Sequence, residues 1–420
     1  MWYRRGYEVQ GVKLQRQRGC IYLTNTIYQI PSTQYSLLNT QYPILNTNMK
    51  YYLIAGERSG DLHAANLVRA LKDQDRNAEF RGMGGDYMER EGVALAVHYE
   101  QWAMMGFVEV VLGFTKVLKY YSAVKKDLLD FGADVLILVD FGGFNMRMAR
   151  FAKARGISVH YYIPPKVWAW NQKRGHTLKK YVDQLYAILP FEVDFFKKFG
   201  WDIHYVGNPL LDEIEKFRPN PQFHETNGLT KDMIIALLPG SRKQEVTKML
   251  DTMIGIVAQY KQVQFVIAGV RNLDPLLYEK AEKLSIKVVF EQTYDLLHHA
   301  SAAIVTSGTA TLEVALFDVP QVVVYKTSEI SYRIAKRLIR VPHISLVNLI
   351  AGKEVVKELI QEKYQVNNLT AELNAMLAYA RRKDEISEGY RLVRERLGDK
   401  KASDETARLI VGFLAKQKEK

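Results

Sequence analysis

From Met49 onward, short apolar runs alternate with longer segments whose apolar residues recur every three or four positions. Runs of the first kind suit strands buried on both faces, and segments of the second kind suit helices that cover a sheet. The strand-like runs of the first half are KYYLIA, EFRGMG, ADVLILVD, SVHYYIPP, QLYAILP and IHYVGN. Those of the second half are MIIALLPG, VQFVIAG, IKVVF, AAIVTSG and PQVVVYK. Between the two series, EKFRPNPQFHETNGLTKD is rich in turn formers and marks a linker. The pattern predicts an α/β protein with two doubly wound domains, residues 49–217 and 230–366, followed by C-terminal helices over 367–420. Such a pair holds its ligand in the cleft outside the carboxyl ends of its strands.

Residues 1–48 follow neither period. They are rich in Tyr, Asn, Thr and Gln, carry one acid, Glu8, and offer no apolar core for a signal peptide. Met49 opens the first strand pattern and reads as the biological start, with 1–48 an unstructured or non-native extension.

Composition narrows the class without changing this picture. A chain of 420 residues, 48% apolar and 25% charged, has the make-up of a globular enzyme of two domains. Its one cysteine, Cys20, excludes a disulfide scaffold, favours a reducing compartment, and argues against thiol catalysis if 1–48 is dispensable. The richest apolar run, MMGFVEVVLGF, falls short of the roughly 18 residues a spanning helix needs and contains Glu109. A net charge of +12 suits an anionic partner, whether nucleic acid, membrane surface or phosphorylated substrate.

Candidate chemistry sits where strands meet helices. Asp140 ends the apolar run LILVD, where packing alone has no use for a charge, and two glycines follow it. AGERSGD couples a strand to a helix through Glu57, Ser59, Gly60 and Asp61, and Asp61 suits either a ligand or a helix cap. LLPGSR places Gly240 and Arg242 at a helix start, where N–H groups and a guanidinium attract phosphate and where Ser241 and Gln244 have capping-box spacing. SGTATLE repeats that design with Ser307, Gly308 and Thr309, and Glu313 could accept the paired hydroxyls of a ribose. A well-capped buried helix explains this last motif nearly as well. Trp168 and Trp170 among Lys166, Lys173 and Arg174 suit a sugar-phosphate site or single-stranded nucleic acid, but no RNA-binding signature accompanies them, so no nucleic acid partner is expected. Met105, Phe107, Val108, Val111, Leu112 and Phe114, with lysines beyond them, suit a membrane interface or an ordinary core stripe. No G-x-G-x-x-G, P-loop, G-x-S-x-G or metal-ligand cluster is present.

Taken in order, AGERSGD, MGFVEV, DFGGFN, PPKVWAW, LLPGSR, SGTATLE and SLVNLIAGKEVVKELIQ resemble the bacterial lipid-A-disaccharide synthase family. The resemblance covers Met49 to the C-terminal helices. It implies a GT-B fold of two Rossmann-like domains and an inverting glycosyltransferase of lipid A biosynthesis that uses no metal or other cofactor. The implied substrates are UDP-2,3-diacylglucosamine and 2,3-diacylglucosamine 1-phosphate, joined at the acceptor's 6-hydroxyl with release of UDP. The implied location is cytoplasmic, peripheral to the inner face of the cytoplasmic membrane, and a homodimer is compatible with the sequence. Asp140 would be the base; Glu57, Ser59, Gly60, Asp61, Asn145 and Trp168 would hold the sugars. Gly240, Arg242, Ser307, Gly308, Thr309, Glu313 and Asn348 would hold UDP. One departure stands out: a second acid common in the family's D-x-x-D-F-N region is replaced by Gly143. A UDP-sugar epimerase of the same fold and a non-catalytic UDP-sugar-binding protein are the alternatives.

Overall fold

The computed structural model describes residues 16–17, 20–21, 48–103, 114–339 and 341–418. The chain forms two units, 1–42 and 43–420. In the first, strands β1 (Arg16–Gln17) and β2 (Cys20–Ile21) pair antiparallel.

The second unit contains two parallel sheets with helices on both faces, as the alternation predicts. The first sheet comprises β3 (Lys50–Ala55), β4 (Glu79–Gly84), β5 (Ala94–His98), β6 (Val135–Val139), β7 (Ser158–Tyr162), β8 (Gln184–Ala187) and β9 (His204–Tyr205). The second comprises β10 (Met233–Leu238), β11 (Val263–Gly269), β12 (Lys287–Phe290), β13 (Ala300–Thr306), β14 (Gln321–Tyr325) and β15 (Lys357–Ile360). Their orders are β5-β4-β3-β6-β7-β8-β9 and β12-β11-β10-β13-β14-β15. In each sheet the chain winds outward from one central strand and then restarts on the strand's other side. The restart falls between β3 and β6 in one sheet and between β10 and β13 in the other, and a crevice opens at the strand ends there.

Burial explains why these runs are strands. All five residues of β6 are buried, and β3 is buried from Tyr51 to Ala55, because helices cover both faces. Two edge strands, β5 and β15, are half-exposed, as sheet edges tolerate: ALAVH is apolar but mostly unburied, and KELI is half charged. Within 215–232, Phe223 is fully buried and stacks on His299 with ring centroids 5.3 Å apart, so this segment is anchored to the second half.

The C-terminal helices divide between the halves. Helix Ala380–Leu397 lies on the second half, where Arg396 Nη1 donates to the Ile350 carbonyl at 2.6 Å. The chain then crosses over, and the Tyr205 hydroxyl donates to the Leu397 carbonyl at 2.7 Å. Helix Ala402–Lys418 buries Ala407, Ile410, Val411 and Leu414 in the first half's core with Tyr51, Val68 and Leu71. The tail therefore packs on its own chain. Among the described residues no helix is long and apolar enough to cross a membrane.

Candidate active site

The first sheet presents carboxylates at its switch point. Asp140 follows β6 and has φ +47°, and Phe141 after it has φ +50°. Two successive non-glycine residues in the left-handed region are strained, and surrounding bonds must hold them there. The Asp140 N–H donates to the Tyr162 carbonyl at 3.2 Å. Its carbonyl accepts the Tyr161 hydroxyl at 2.6 Å and the Asn145 Nδ2 at 2.7 Å. Gly142 is required next, since a Cβ there would lie 2.9 Å from Pro165 Cβ, whereas a Cβ on Gly143 would meet nothing within 4 Å. Glu57, one residue past Gly56 at the end of β3, faces the same crevice.

These acids share one field with cations of both halves. Burial raises the Asp140 carboxyl above its ordinary value, opposed by Lys166, the Phe141 N–H and Arg242. Desolvation raises Glu57 as well, reinforced by the negative charge of Asp140 and opposed by Arg242. Arg242 belongs to the second half, so its influence crosses the crevice. Arg58 and Glu291 also link the halves, 3.3 Å apart.

The second sheet encloses a cavity of about 340 Å3 at its own switch point. Gly240, Arg242, Ser307, Gly308, Thr309 and Glu313 line it, together with Lys166 from the first half. Gly240 has φ +120°, and a Cβ there would lie 2.5 Å from Glu245 Cβ. The tight turn lets Glu245 Oε2 accept the N–H groups of Ser241 at 3.0 Å and Arg242 at 3.2 Å. The expected Ser241–Gln244 cap is thus replaced: a carboxylate can take two orphan donors at once, and Glu245 also pairs with Arg242 Nη1 at 3.1 Å. That pair offsets the cost of a cation at a helix N-terminus. Tyr294 donates to Glu313 Oε1 at 3.1 Å, and burial raises the Glu313 carboxyl. Ser307 Oγ donates to the Ile344 carbonyl at 2.9 Å.

Other expected site residues stand behind these walls. Asp61 is fully buried and caps nothing in its own helix. It accepts the N–H groups of Gly85 at 2.8 Å, Tyr87 at 3.0 Å and Met88 at 3.2 Å, fixing the loop after β4. Asn348 is also fully buried, with its oxygen taken by the N–H groups of Val355 and Val356 and its amide donating to Val356 and Glu358. It does not line the cavity. Trp168 is buried and donates to Glu192 Oε1 at 3.0 Å, whose carboxyl burial pushes up to about 7. Asn145 is buried and holds the Asp140 backbone. Ser59 is exposed in the first turn of helix Arg58–Gln74, and Gly60 is buried beside Ala55. Met105, Phe107, Val108, Val111 and Leu112 lie outside the described residues, as does the side chain of Phe114.

Two lining residues were not among those expected to hold a ligand. Lys166 lies in PPKVWAW after β7 but was read only as one cation among several. Thr306, the last residue of β13, has a buried hydroxyl with no hydrogen-bond partner. An orphan hydroxyl on a cavity wall is a ready donor or acceptor for a ligand.

The lipid-A-disaccharide synthetase family matches residues 51–411. A lipid-A-disaccharide synthase of Trichlorobacter lovleyi is 37% identical over 370 residues, covering 86% of this chain and 97% of that protein. One from Syntrophus aciditrophicus is 38% identical over 373 residues, covering 87% and 97%. Among solved structures, a UDP-GlcNAc 2-epimerase from Neisseria meningitidis bound to UDP-GlcNAc superposes with TM-score 0.61 at 13% identity, covering 88% of this chain and all of that one. The glycotransferase of kitacinnamycin gives 0.59 at 11%, covering 87% and 98%. At such identities these structures share the fold, the GT-B arrangement of two parallel sheets, and no more. On the match over residues 51–411 and the identity along almost the whole length of its relatives, this chain belongs to the lipid-A-disaccharide synthetase family.

Proposed function

We propose that the protein is an inverting glycosyltransferase that moves 2,3-diacylglucosamine from UDP to the 6-hydroxyl of 2,3-diacylglucosamine 1-phosphate, forming lipid A disaccharide 1-phosphate. The observation that carries this reading is the pairing of two switch points: acids raised by burial on one side, and an anion-suited cavity with Arg242 and Lys166 on the other. UDP occupies the second-half cavity, its diphosphate beside Arg242, Gly240 and Ser307–Thr309 and its ribose near Glu313. The acceptor lies against the first half. Asp140 takes the proton of the acceptor hydroxyl as its oxygen bonds to the sugar's anomeric carbon from the face opposite UDP. The bond from that carbon to the phosphate oxygen breaks, and the departing charge falls to Arg242 and Lys166. Glu57 holds a sugar hydroxyl beside the base. Asp61, Asn145, Trp168 and Asn348 support the site from behind. Because the substrates carry acyl chains, the protein works peripherally at the inner face of the cytoplasmic membrane.

The test is UDP release by the full chain, given the donor with and without acceptor, for wild type and Asp140→Asn. Asparagine tolerates the left-handed backbone at this position, so the variant removes the base with little change of shape. Release that depends on acceptor and falls by about 10²–10⁴-fold in the variant supports the reading. Donor conversion without acceptor would make the protein an epimerase, and binding without turnover would leave a UDP-sugar-binding protein.

A further inference from the structure

Helix Glu329–Leu338 leaves the carboxyl end of β14, the end of the sheet that also carries the Ser307–Glu313 wall of the cavity. None of its ten residues is buried. Ile330 is 74% exposed, Ile334 54% and Leu338 47%. Spaced by four, these three form one stripe along the helix, and the half-buried Tyr332 and Ala335 mark the opposite, protein-facing side. A helix of a globular domain ordinarily turns such a stripe inward; here it points outward. The element is nonetheless well formed, since Ser328 caps it by accepting the Ser331 N–H at 3.2 Å.

Its charges point to the partner. Segment 326–339 carries Lys326, Arg333, Lys336 and Arg337 against the single acid Glu329. By helical geometry Arg333 and Arg337 border the aliphatic stripe directly. Arg333 pairs with Glu329 at 2.8 Å, and Lys336 lies over the Tyr332 ring. An outward aliphatic stripe edged by cations has the make-up of a helix lying in a lipid headgroup layer, its side chains among the upper acyl carbons and its cations among phosphates.

We propose that helix Glu329–Leu338 docks on an anionic bilayer surface and holds the second half of the protein, with its cavity, against the membrane. This deepens the transferase reading above, which supplies the acyl-chain substrates, but docking and turnover succeed or fail separately.

The experiment is flotation of the full chain with vesicles of phosphatidylethanolamine and phosphatidylglycerol, and with vesicles of phosphatidylcholine alone. Wild type is compared with the triple variant Ile330→Ser, Ile334→Ser, Leu338→Ser and with Arg333→Gln and Arg337→Gln. The substituted side chains are exposed, and thermal melting checks that each variant remains folded. Wild type is expected to float with the anionic vesicles. The triple variant should bind them at least about tenfold more weakly, and each arginine variant about fivefold more weakly. Wild-type binding by the triple variant, or no binding by wild type, overturns the proposal. So does sedimentation showing that the triple variant splits a dimer while vesicle binding persists, which would assign the stripe to a second copy of this chain. Failure of the transferase reading would look different: vesicle binding would stand, with no acceptor-dependent UDP release.

Discussion

Asp140 sits under two opposing influences, and their balance can be measured. Burial raises its carboxyl, while Lys166 and then Arg242 pull it back down. As the proposed base it must be ionised, so turnover is expected to fall as pH drops through its titration. Removing a cation leaves burial less opposed and raises the carboxyl further. Lys166→Gln is therefore expected to move the acid limb of the kcat/KM profile to higher pH, and Arg242→Gln to move it the same way by less. An unmoved limb in both variants would mean that a different group governs it. At this scale the sequence was legible only in part. The place of Asp140 just past a buried strand was legible, because a charge at the end of LILVD serves no packing purpose. Asp61 and Asn348 have equally ligand-like side chains, but three backbone donors surround one and a full set of partners satisfies the other. Spacing along a chain does not reveal how many backbone groups will converge on a side chain.

The turns between strand and helix carry most of what the sequence could say. Gly240 shows why: its φ of +120° and the 2.5 Å from a would-be Cβ to Glu245 Cβ leave room for no side chain. Gly240→Ala would strain the backbone by about 1–3 kcal/mol and push aside the carboxylate that fixes the Ser241 and Arg242 N–H groups. We expect UDP binding about tenfold weaker by calorimetry, together with a lower melting temperature. Retained affinity with only a lower melting temperature would make the turn structural alone. The same motif misled in one respect, because S-x-x-Q spacing was present while Glu245, one residue further on, was the better acceptor. The edge strands β5 and β15 were illegible for a different reason. Half-exposed strands need no continuous apolar run, so KELI looks like loop, while VALAV before His98 is apolar but too short and alanine-rich to stand out as a strand. The helix Glu329–Leu338 has a clear period, yet a period does not say which face the fold will bury.

In the whole molecule, the two halves are joined by more than the segment between the sheets. After helix Ala380–Leu397 on the second half, the chain returns so that helix Ala402–Lys418 completes the core of the first. The tail's charged, amphipathic sequence announced a helix but not its destination, because long-range packing depends on surfaces the local pattern does not encode. The crossover makes the first half depend on residues more than 300 positions away in the chain. Ile410 is wholly buried against that core. Ile410→Ala should cost about 2–5 kcal/mol, since the deleted methyl groups leave a cavity under a helix that cannot collapse onto the sheet. The loss should fall unequally on the two halves. Hydrogen exchange should accelerate first in β3, β6 and helix Arg58–Gln74, while β10 and β13 around the second-half cavity stay protected, because neither cluster of buried residues to which they contribute contains a residue of the last helix. Equal acceleration in both sheets would mean that the halves unfold as one body, coupled through the buried cluster that both sheets share.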